Sequence, residues 1–320
     1  MKIGFYNIYN EFNGNRIFNK MELPIGDDLT YPFRYLANYA RMKGIHLSTI
    51  DTQPLDDYDA IVFMDFPGRY NKYLKELQDM NFDNLFLMIF ENEVIRPWNW
   101  DTDNYQMFKK VFTWSTSIKT KNTSHYYLPV NVPMDPHFSQ EEKTTLCTLL
   151  ASRKSSSHPH NLYEERVRAI RWFEQNHPED FDLYGIGWYK IGPFGNPSYK
   201  GRVSSKNATL RKYKFSICYE NARDIPGYVT EKIFDSFFAG CVPVYWGASD
   251  ITDTVPEDTF IDMRKYPTYS HLYEYISTIP DNVYQEYLDN ILDYIHSDEI
   301  QQYNTPHFTE TILNGILEVF

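Results

Sequence analysis

Short apolar segments that alternate with helical segments are the feature of this 320-residue chain that most constrains its fold. In the first 130 residues, helical patterns at residues 31–42 and 70–80 lie between segments typical of buried strands. Apolar strands that are separated by helices favour a parallel sheet covered on both faces. The predicted strands are residues 2–9, 45–50, 60–65, 85–91 and 111–115.

A second series of the same kind follows residues 131–143, a polar segment with two prolines that is typical of an interdomain linker. The chain therefore predicts an α/β protein with two Rossmann-like domains that face a central cleft, and ligands of such sheets bind beyond the carboxyl ends of the strands. We place the domains at residues 1–135 and 136–300, with residues 301–320 as a C-terminal helix packed back on the first domain. The second series comprises a helix at 163–176 and strands at 144–151, 181–184, 215–220, 242–246 and 259–262.

Net charge, cysteine content and hydropathy limit the partners and the compartment that are expected for this chain. The net charge of −12 would repel polyphosphates, so nucleic acid and anionic membrane surfaces are not expected partners. Cys147, Cys218 and Cys241 form no metal-spaced pair, and their odd number favours reduced thiols in the cytosol. No segment has the ~20 apolar residues that a transmembrane helix needs, and the first residues do not resemble a signal peptide. We therefore expect a cytoplasmic protein, whose oligomeric state is left open.

Residues 218–247 place a lysine where a helix is expected to begin. Lys232 falls in the first turn of that helix, and Glu231 precedes it. The N-terminus of a helix carries partial positive charge and favours anions over ammonium groups. Two interpretations remain: the helix start and Lys232 form a diphosphate site, or Glu231 and Lys232 are solvated surface charges.

The same region carries a series of motifs about 35 residues long. YKF stands at residues 213–215, YEN at 219–221, YVTEK at 228–232 and VPVYWG at 242–247. This series resembles the donor-binding signature of glycosyltransferase family 10, the α1,3/4-fucosyltransferases. The resemblance implies a GT-B fold with the donor bound in the second domain. It also implies inverting transfer of L-fucose from GDP-fucose to a glycan hydroxyl, with no required cofactor and divalent metal at most stimulatory.

The resemblance also assigns roles to residues. Lys232 and Tyr228 would contact the diphosphate beside the helix that begins near Thr230, and Asn221 and Glu231 would hold the donor. Weaker donor-site candidates are Arg153, Tyr184, Gly185 and Lys206. Three arginines compete for the family's diphosphate-binding arginine: Arg153, Arg166 and Arg202.

Inversion in a single displacement requires a base that takes the proton of the acceptor hydroxyl. The sequence FENE at residues 90–93 follows a predicted strand and resembles a GENE-type motif of bacterial family members, whose first glutamate is taken as the base. The match nominates Glu91, with a phenylalanine in place of the usual glycine. Glu93 competes, since both carboxylates would point to one side of a strand, and Glu91 could instead accept backbone hydrogen bonds there. Trp98 and Trp100 either form a wall for the acceptor sugar or belong to the core.

Rival interpretations differ in the chemistry that they need. A metal-dependent GT-A transferase needs a DxD motif between strands, and the string occurs at residues 57–59, 101–103 and 180–182. A glycosidase would use Glu91 and Glu231 as paired carboxylates, and a non-catalytic glycan-binding protein would need no base. We favour a cytoplasmic fucosyltransferase at the inner face of the membrane, acting on an oligosaccharide or lipid-linked glycan of a surface polymer such as lipopolysaccharide. A family-10-like transferase with a different nucleotide-sugar donor is the alternative.

Overall fold

A computed structural model describes residues 1–21, 28–133, 138, 143–188 and 196–320. The chain divides into two compact units. Among the described residues, the first unit contains 1–21, 28–131 and 302–320, and the second contains the described part of 132–301. Most of the predicted linker, at residues 134–137 and 139–142, lies outside the described residues.

The first unit is built on a six-stranded parallel sheet with the strand order β2-β1-β3-β4-β5-β6. The sheet is buried because its strands are almost wholly apolar, as Ile61, Val62 and Phe63 show with no exposed surface. Helix α1 spans Tyr31–Met42 and α2 spans Lys72–Asp79. The strands are β1 Lys2–Tyr6, β2 His46–Thr49, β3 Ala60–Met64, β4 Leu85–Met88, β5 Lys110–Thr113 and β6 Thr123–His125.

The second unit is built on another six-stranded parallel sheet, in the order β12-β11-β10-β7-β8-β9. Its central strand β10 carries the first motif of the signature and the first residue of the second, and α5 carries the end of the third. The strands are β7 Thr145–Leu150, β8 Phe181–Tyr184, β9 Tyr199–Gly201, β10 Tyr213–Tyr219, β11 Val242–Trp246 and β12 Ile261–Asp262. The helices are α3 Tyr163–Asn176, α4 Lys206–Leu210, α5 Glu231–Phe238, α6 Tyr269–Thr278 and α7 Asp281–His296.

The last helix of the chain, α8 at Thr305–Leu317, belongs to the first unit. It packs on α1 and β5, where Phe308 meets the ring of Phe33 at 6.0 Å between centroids. Gly315 lies against Phe112, and a Cβ at this position would approach the phenylalanine ring to 2.5 Å. Only glycine therefore lets α8 lie this close to the sheet.

Several predicted boundaries are confirmed and others are corrected. The helices predicted at residues 31–42 and 163–176 coincide with α1 and α3. The strand predicted at 85–91 ends at Met88, so Glu91 and Glu93 lie in the following loop and do not share one side of a strand. No helix among the described residues combines the length and apolarity that crossing a membrane requires.

Candidate functional site

The turn from β10 into α5 is organised by a buried glutamate. Glu220 follows β10 directly, and its side chain has no exposed surface. It accepts the backbone N–H of Thr230 at 2.8 Å and, through its other oxygen, the Thr230 hydroxyl at 2.8 Å. Thr230 in turn caps α5 by accepting the N–H of Lys232. The end of the strand and the start of the helix are therefore tied together by one carboxylate.

Lys232 is paired within the same turn. Its Nζ lies 3.1 Å from Glu220 Oε2 and donates to Thr230 Oγ1 at 2.8 Å. Burial by itself lowers the pKa of Lys232, but the attraction of Glu220 and Glu231 outweighs it and holds that pKa above its ordinary value. The lysine is thus charged, and Glu220 is the anion that its position in the first turn requires.

A second lysine extends this cluster to the outer side of α5. Lys206, the first residue of α4, donates to Asp235 at 2.8 Å and lies 3.8 Å from Glu231. Burial alone would raise the pKa of Glu231, but the positive charges of Lys232 and Lys206 outweigh this effect and lower the pKa to about 2. The two lysines thus lie among three carboxylates, Glu220, Glu231 and Asp235, and each lysine is paired.

A buried arginine reaches the YEN motif from α3. Arg166 donates to the carbonyl oxygen of Tyr219 at 2.6 Å and to Asn221 Oδ1 at 3.1 Å. The amide of Asn221 then donates to the Tyr228 hydroxyl at 3.3 Å. Arg166 occupies the buried face of α3, at a spacing of three residues from Tyr163. The structure therefore brings one of the three competing arginines into contact with the signature.

The remaining donor-site candidates stand apart from this cluster. Arg153 and Arg202 are exposed. The Tyr184 hydroxyl bonds to that of Tyr213 at 2.8 Å, and its ring packs on an apolar cluster. Gly185 has φ of +131°, and a Cβ there would lie 1.9 Å from the carbonyl oxygen of Ala151. Close approach of two backbones therefore requires this glycine, and its predicted role beside a nucleotide stays a prediction.

Glu91 lies in the loop that follows β4 in the first unit. Its Oε1 accepts the Tyr9 hydroxyl at 2.8 Å. Its backbone N–H donates to Asp65 Oδ1 at 3.0 Å, and its carbonyl oxygen accepts the Asn99 amide at 3.0 Å. Among the described residues, Glu91 Oε2 has no hydrogen bond, so this oxygen is available to a ligand.

A pocket of about 170 Å³ within the first unit opens beside this carboxylate. Phe33 and Phe90 form part of its apolar wall, with ring centroids 5.7 Å apart. The Nδ2 atom of Asn7 is buried there and has no hydrogen-bond partner among the described residues. The pocket thus combines apolar walls with an unused amide donor and the carboxylates of Asp65 and Glu91.

The two tryptophans after Glu91 have different environments. Trp98 is 64% exposed, whereas Trp100 is half-buried and packs on Trp114 with centroids 5.4 Å apart. Glu93 is half-buried in the same loop. Trp98 is therefore the one of the two whose ring is open to a ligand, and acceptor contacts by all three residues stay predictions.

Sequence reasoning did not identify Tyr9, Asp65 or Asn99, which surround Glu91. Asp65 follows the carboxyl end of β3, the position where ligands of open α/β sheets are expected, and this signal could have nominated it. Tyr9 ends the strand predicted at residues 2–9 and carries the same signal, whereas Asn99 lies in a short 3₁₀ helix, Pro97–Trp100, and carries none.

The DxD strings show no strand–DxD–strand context in the structure. One carboxylate of each string contacts a neighbouring group of the protein. The contacts are Asp59 with the Lys2 backbone N–H at 2.7 Å, Asp101 with Arg69 at 3.4 Å and Asp182 with Lys200 at 3.1 Å. The strings therefore give no argument for a metal-bound diphosphate.

Known proteins resemble the chain in sequence over its second half. A family model described as glycosyltransferase family 10 (fucosyltransferase), C-terminal, matches residues 140–307, which is more than half of the chain. The α-(1,3)-fucosyltransferase FucT of Helicobacter pylori is 35% identical over 74 residues, which cover 23% of this chain and 15% of that protein. An α-(1,4)-fucosyltransferase of Arabidopsis thaliana is 36% identical over 83 residues, covering 25% of this chain and 20% of that protein. The matches thus span a fifth or less of these relatives.

Solved structures resemble the chain over almost its whole length. The crystal structure of an α1,3-fucosyltransferase with GDP-fucose gives a TM-score of 0.59 at 15% identity, covering 99% of this chain and 90% of that one. A DNA-modifying β-glucosyltransferase gives 0.59 at 12% identity, covering 99% of each chain. These similarities and the two parallel sheets confirm the predicted α/β fold of the GT-B class. With the family model matching more than half of its length, the chain belongs to glycosyltransferase family 10.

Proposed function

We propose that this protein is an inverting glycosyltransferase that moves L-fucose from GDP-fucose to a hydroxyl of a glycan acceptor. The observation that carries the proposal is the arrangement of the family signature at the start of α5, in the second unit. Lys232 directs two of its three N–H donors at Thr230 and Glu220. Glu231 Oε1 lies 3.7 Å from Nζ, beyond hydrogen-bond distance, so the third donor is left for a phosphate oxygen. The helix N-terminus adds partial positive charge at the same place.

The arginine of the donor site is Arg166 in this proposal. Its guanidinium carries five N–H donors in a planar fork, and the described contacts to Tyr219 and Asn221 are both made by Nη2. Asn221 and Tyr228 lie in the same hydrogen-bonded chain and would orient the donor sugar. Positive charge from Arg166, Lys232 and α5 can stabilise a departing diphosphate, so a divalent metal would at most stimulate the reaction.

Glu91 is the general base of this proposal. Tyr9 holds one oxygen of the Glu91 carboxylate. The other carboxylate oxygen is available to take the proton from an acceptor hydroxyl while the hydroxyl oxygen of the acceptor attacks the anomeric carbon. The pocket beside Glu91 would receive part of the acceptor, and Trp98, Trp100 and Glu93 would contact it further out. General-base help of this kind is worth ~10²–10⁴-fold in rate.

The biological setting is proposed on the same basis. The acceptor would be an oligosaccharide or a lipid-linked glycan, and the product would enter a surface polymer such as lipopolysaccharide. The enzyme would work in the cytoplasm at the inner face of the membrane. A different nucleotide-sugar donor remains the second candidate, because the contacts around Asn221 and Tyr228 do not distinguish fucose from another deoxysugar.

Calorimetry with GDP-fucose, GDP-mannose, UDP-galactose and GDP, each with and without EDTA, tests the donor. We expect GDP and GDP-fucose to bind best and EDTA to leave their affinities unchanged. Preference for the uridine donor, or loss of binding in EDTA, would contradict the proposed donor or the metal-free mechanism.

The base is tested separately by Glu91→Gln, with transfer to a panel of oligosaccharides measured by mass spectrometry. We expect turnover to fall at least ~10²-fold while the dissociation constant of GDP-fucose stays within about twofold. Glu76→Gln, which changes an exposed carboxylate of α2 outside the proposed site, is the matched control and should retain most of the turnover. Near-normal turnover in Glu91→Gln would exclude Glu91 as the base, and a wild-type chain that binds glycans without transfer would support a non-catalytic binding protein.

A further inference from the structure

Asp65 has a backbone conformation that needs support from its surroundings. It follows β3 with φ of +61°, in the left-handed region that residues other than glycine rarely adopt, and it is only 2% exposed. Such a conformation is strained and persists only where the surrounding structure fixes it. This conformation directs the side chain of Asp65 toward the loop that follows β4.

One oxygen of Asp65 accepts three hydrogen bonds. The backbone N–H groups of Phe90 and Glu91 donate to Oδ1 at 2.8 and 3.0 Å, and the Asn99 amide donates to it at 2.7 Å. Asp65 therefore fixes the backbone of the proposed base, Glu91, and of Phe90 before it.

Asn99 completes the arrangement around this backbone. Its amide also donates to the carbonyl oxygen of Glu91 at 3.0 Å, and its Oδ1 accepts the N–H of Phe66 at 2.8 Å. The hydroxyl of Tyr105 donates to the carbonyl oxygen of Asn99 at 2.7 Å and fixes Asn99 in turn. The loop after β3 and the loop after β4 are thus joined through two side chains, Asp65 and Asn99.

We propose that Asp65 is a positioning residue for Glu91: it fixes the Phe90–Glu91 backbone so that the Glu91 carboxylate, held by Tyr9, presents Oε2 to the acceptor hydroxyl. The inference rests on the proposed role of Glu91 as the base. Asp65 acts through the backbone of Glu91 and takes no proton from the acceptor. A misplacement of about 1 Å in a reacting group can cost ~10²-fold in rate, which sets the size of the expected effect.

The test compares Asp65→Ala with Asp65→Asn in the full chain. Asparagine keeps an oxygen acceptor of the same shape, so we expect Asp65→Asn to stay within about tenfold of the wild-type kcat. Alanine removes the acceptor, and Asp65→Ala should lower kcat by ~10²-fold. Both variants should bind GDP-fucose with a dissociation constant within about twofold of wild type, because the proposed donor residues belong to the second unit.

Three results would overturn the inference. Wild-type kcat in Asp65→Ala would show that catalysis does not need the hydrogen bonds from the Phe90 and Glu91 backbone to Asp65. A loss in Asp65→Asn as large as that in Glu91→Gln would show that the charge of Asp65 takes part in the chemistry. If Asp65→Ala does not fold, Asn99→Ala tests the same contact, because Asn99 hydrogen-bonds both Asp65 and the backbone of Glu91. A fall in kcat with unchanged donor affinity would support the inference, and an unchanged kcat would overturn it.

The failure of the base assignment is distinguishable from the failure of this inference. If Glu91→Gln is inactive while Asp65→Ala is fully active, the base assignment holds and only the positioning role is lost. If Glu91→Gln itself retains turnover, the base assignment fails and the positioning role fails with it.

Discussion

Lys232 Nζ lies 3.1 Å from Oε2 of Glu220, so the lysine at the start of α5 is paired with a carboxylate that has no exposed surface. A lysine in the first turn is unfavourable next to the helix dipole, and Glu220 supplies the compensating charge. The pair also explains why YEN and YVTEK occur together, since the first motif provides the anion and the second the cation. Removing one partner leaves a buried charge without its counterpart, which is costly.

The first prediction is a double-mutant cycle on this pair. Lys232→Met should destabilise the protein by about 3 kcal/mol because Glu220 remains buried and charged, whereas Lys232→Met with Glu220→Gln should recover most of that loss. Urea unfolding of the four proteins measures both effects. GDP affinity, measured by calorimetry, should fall in Lys232→Met and should not recover in the double variant, since the lysine itself contacts phosphate in the proposed function. Recovery of GDP binding together with stability would show that Lys232 only supports the fold.

The second prediction concerns the arginine of the donor site. Arg166→Lys keeps the charge but loses the planar fork, whose Nη2 holds Tyr219 and Asn221 while its other donors would contact phosphate in the proposed function, so GDP affinity should fall by about tenfold. Arg202→Lys is the matched control, because Arg202 is exposed, and it should change the affinity by less than twofold. Equal effects of the two substitutions in calorimetry would contradict the choice of Arg166.

The third prediction concerns Tyr9. Its hydroxyl donates to Glu91 Oε1 at 2.8 Å, so Tyr9→Phe leaves the carboxylate free to rotate and should lower kcat by about tenfold. The ring itself remains, and GDP-fucose binding should not change. Steady-state kinetics of Tyr9→Phe, Glu91→Gln and the double variant give the decisive comparison. A further loss in the double variant beyond Glu91→Gln alone would mean that Tyr9 acts on something other than the base.

Local patterns predicted most of the helices and strands but could not predict the surroundings of Glu91. Helices α1 and α3 were predicted correctly because their apolar residues repeat with helical spacing, and the donor-site residues, which remain a prediction, were nominated by motifs that lie close together in the sequence. The short strands β6 and β9, of three residues each, lack a pattern long enough to detect.

Contacts between distant loops carry no local signal. Tyr9 is 82 residues from Glu91 in sequence, and Asp65 is 26 residues away. Which side chains meet there depends on the order β1-β3-β4 in the sheet, which brings the ends of nonconsecutive strands together. The pairing of Lys232 with Glu220 was missed for a related reason: the sequence shows both residues but not that the chain folds the carboxylate back onto the helix start.

The fourth prediction is a pH dependence of stability that originates at Asp65. The pKa of Asp65 is raised from its ordinary value of 3.8 to about 7, chiefly by burial and also by the charge of Glu91, against the opposing effect of hydrogen bonds from the Glu91 and Phe90 backbone and from Asn99. The folded protein therefore binds a proton more tightly than the unfolded chain. The resulting stabilisation is complete below about pH 4 and is lost as the pH rises through 7.

Urea unfolding at pH 5 and pH 8 measures this loss. Between these values the wild-type protein should lose about 2 kcal/mol of unfolding free energy relative to Asp65→Asn, which has no proton to release at this position. The comparison with Asp65→Asn removes the contributions of titrating groups that do not interact with Asp65. Parallel pH profiles of the two proteins would show that Asp65 is ionised across the whole range. In that case its three hydrogen bonds outweigh its burial, and the grip on the Glu91 backbone is that of a full negative charge.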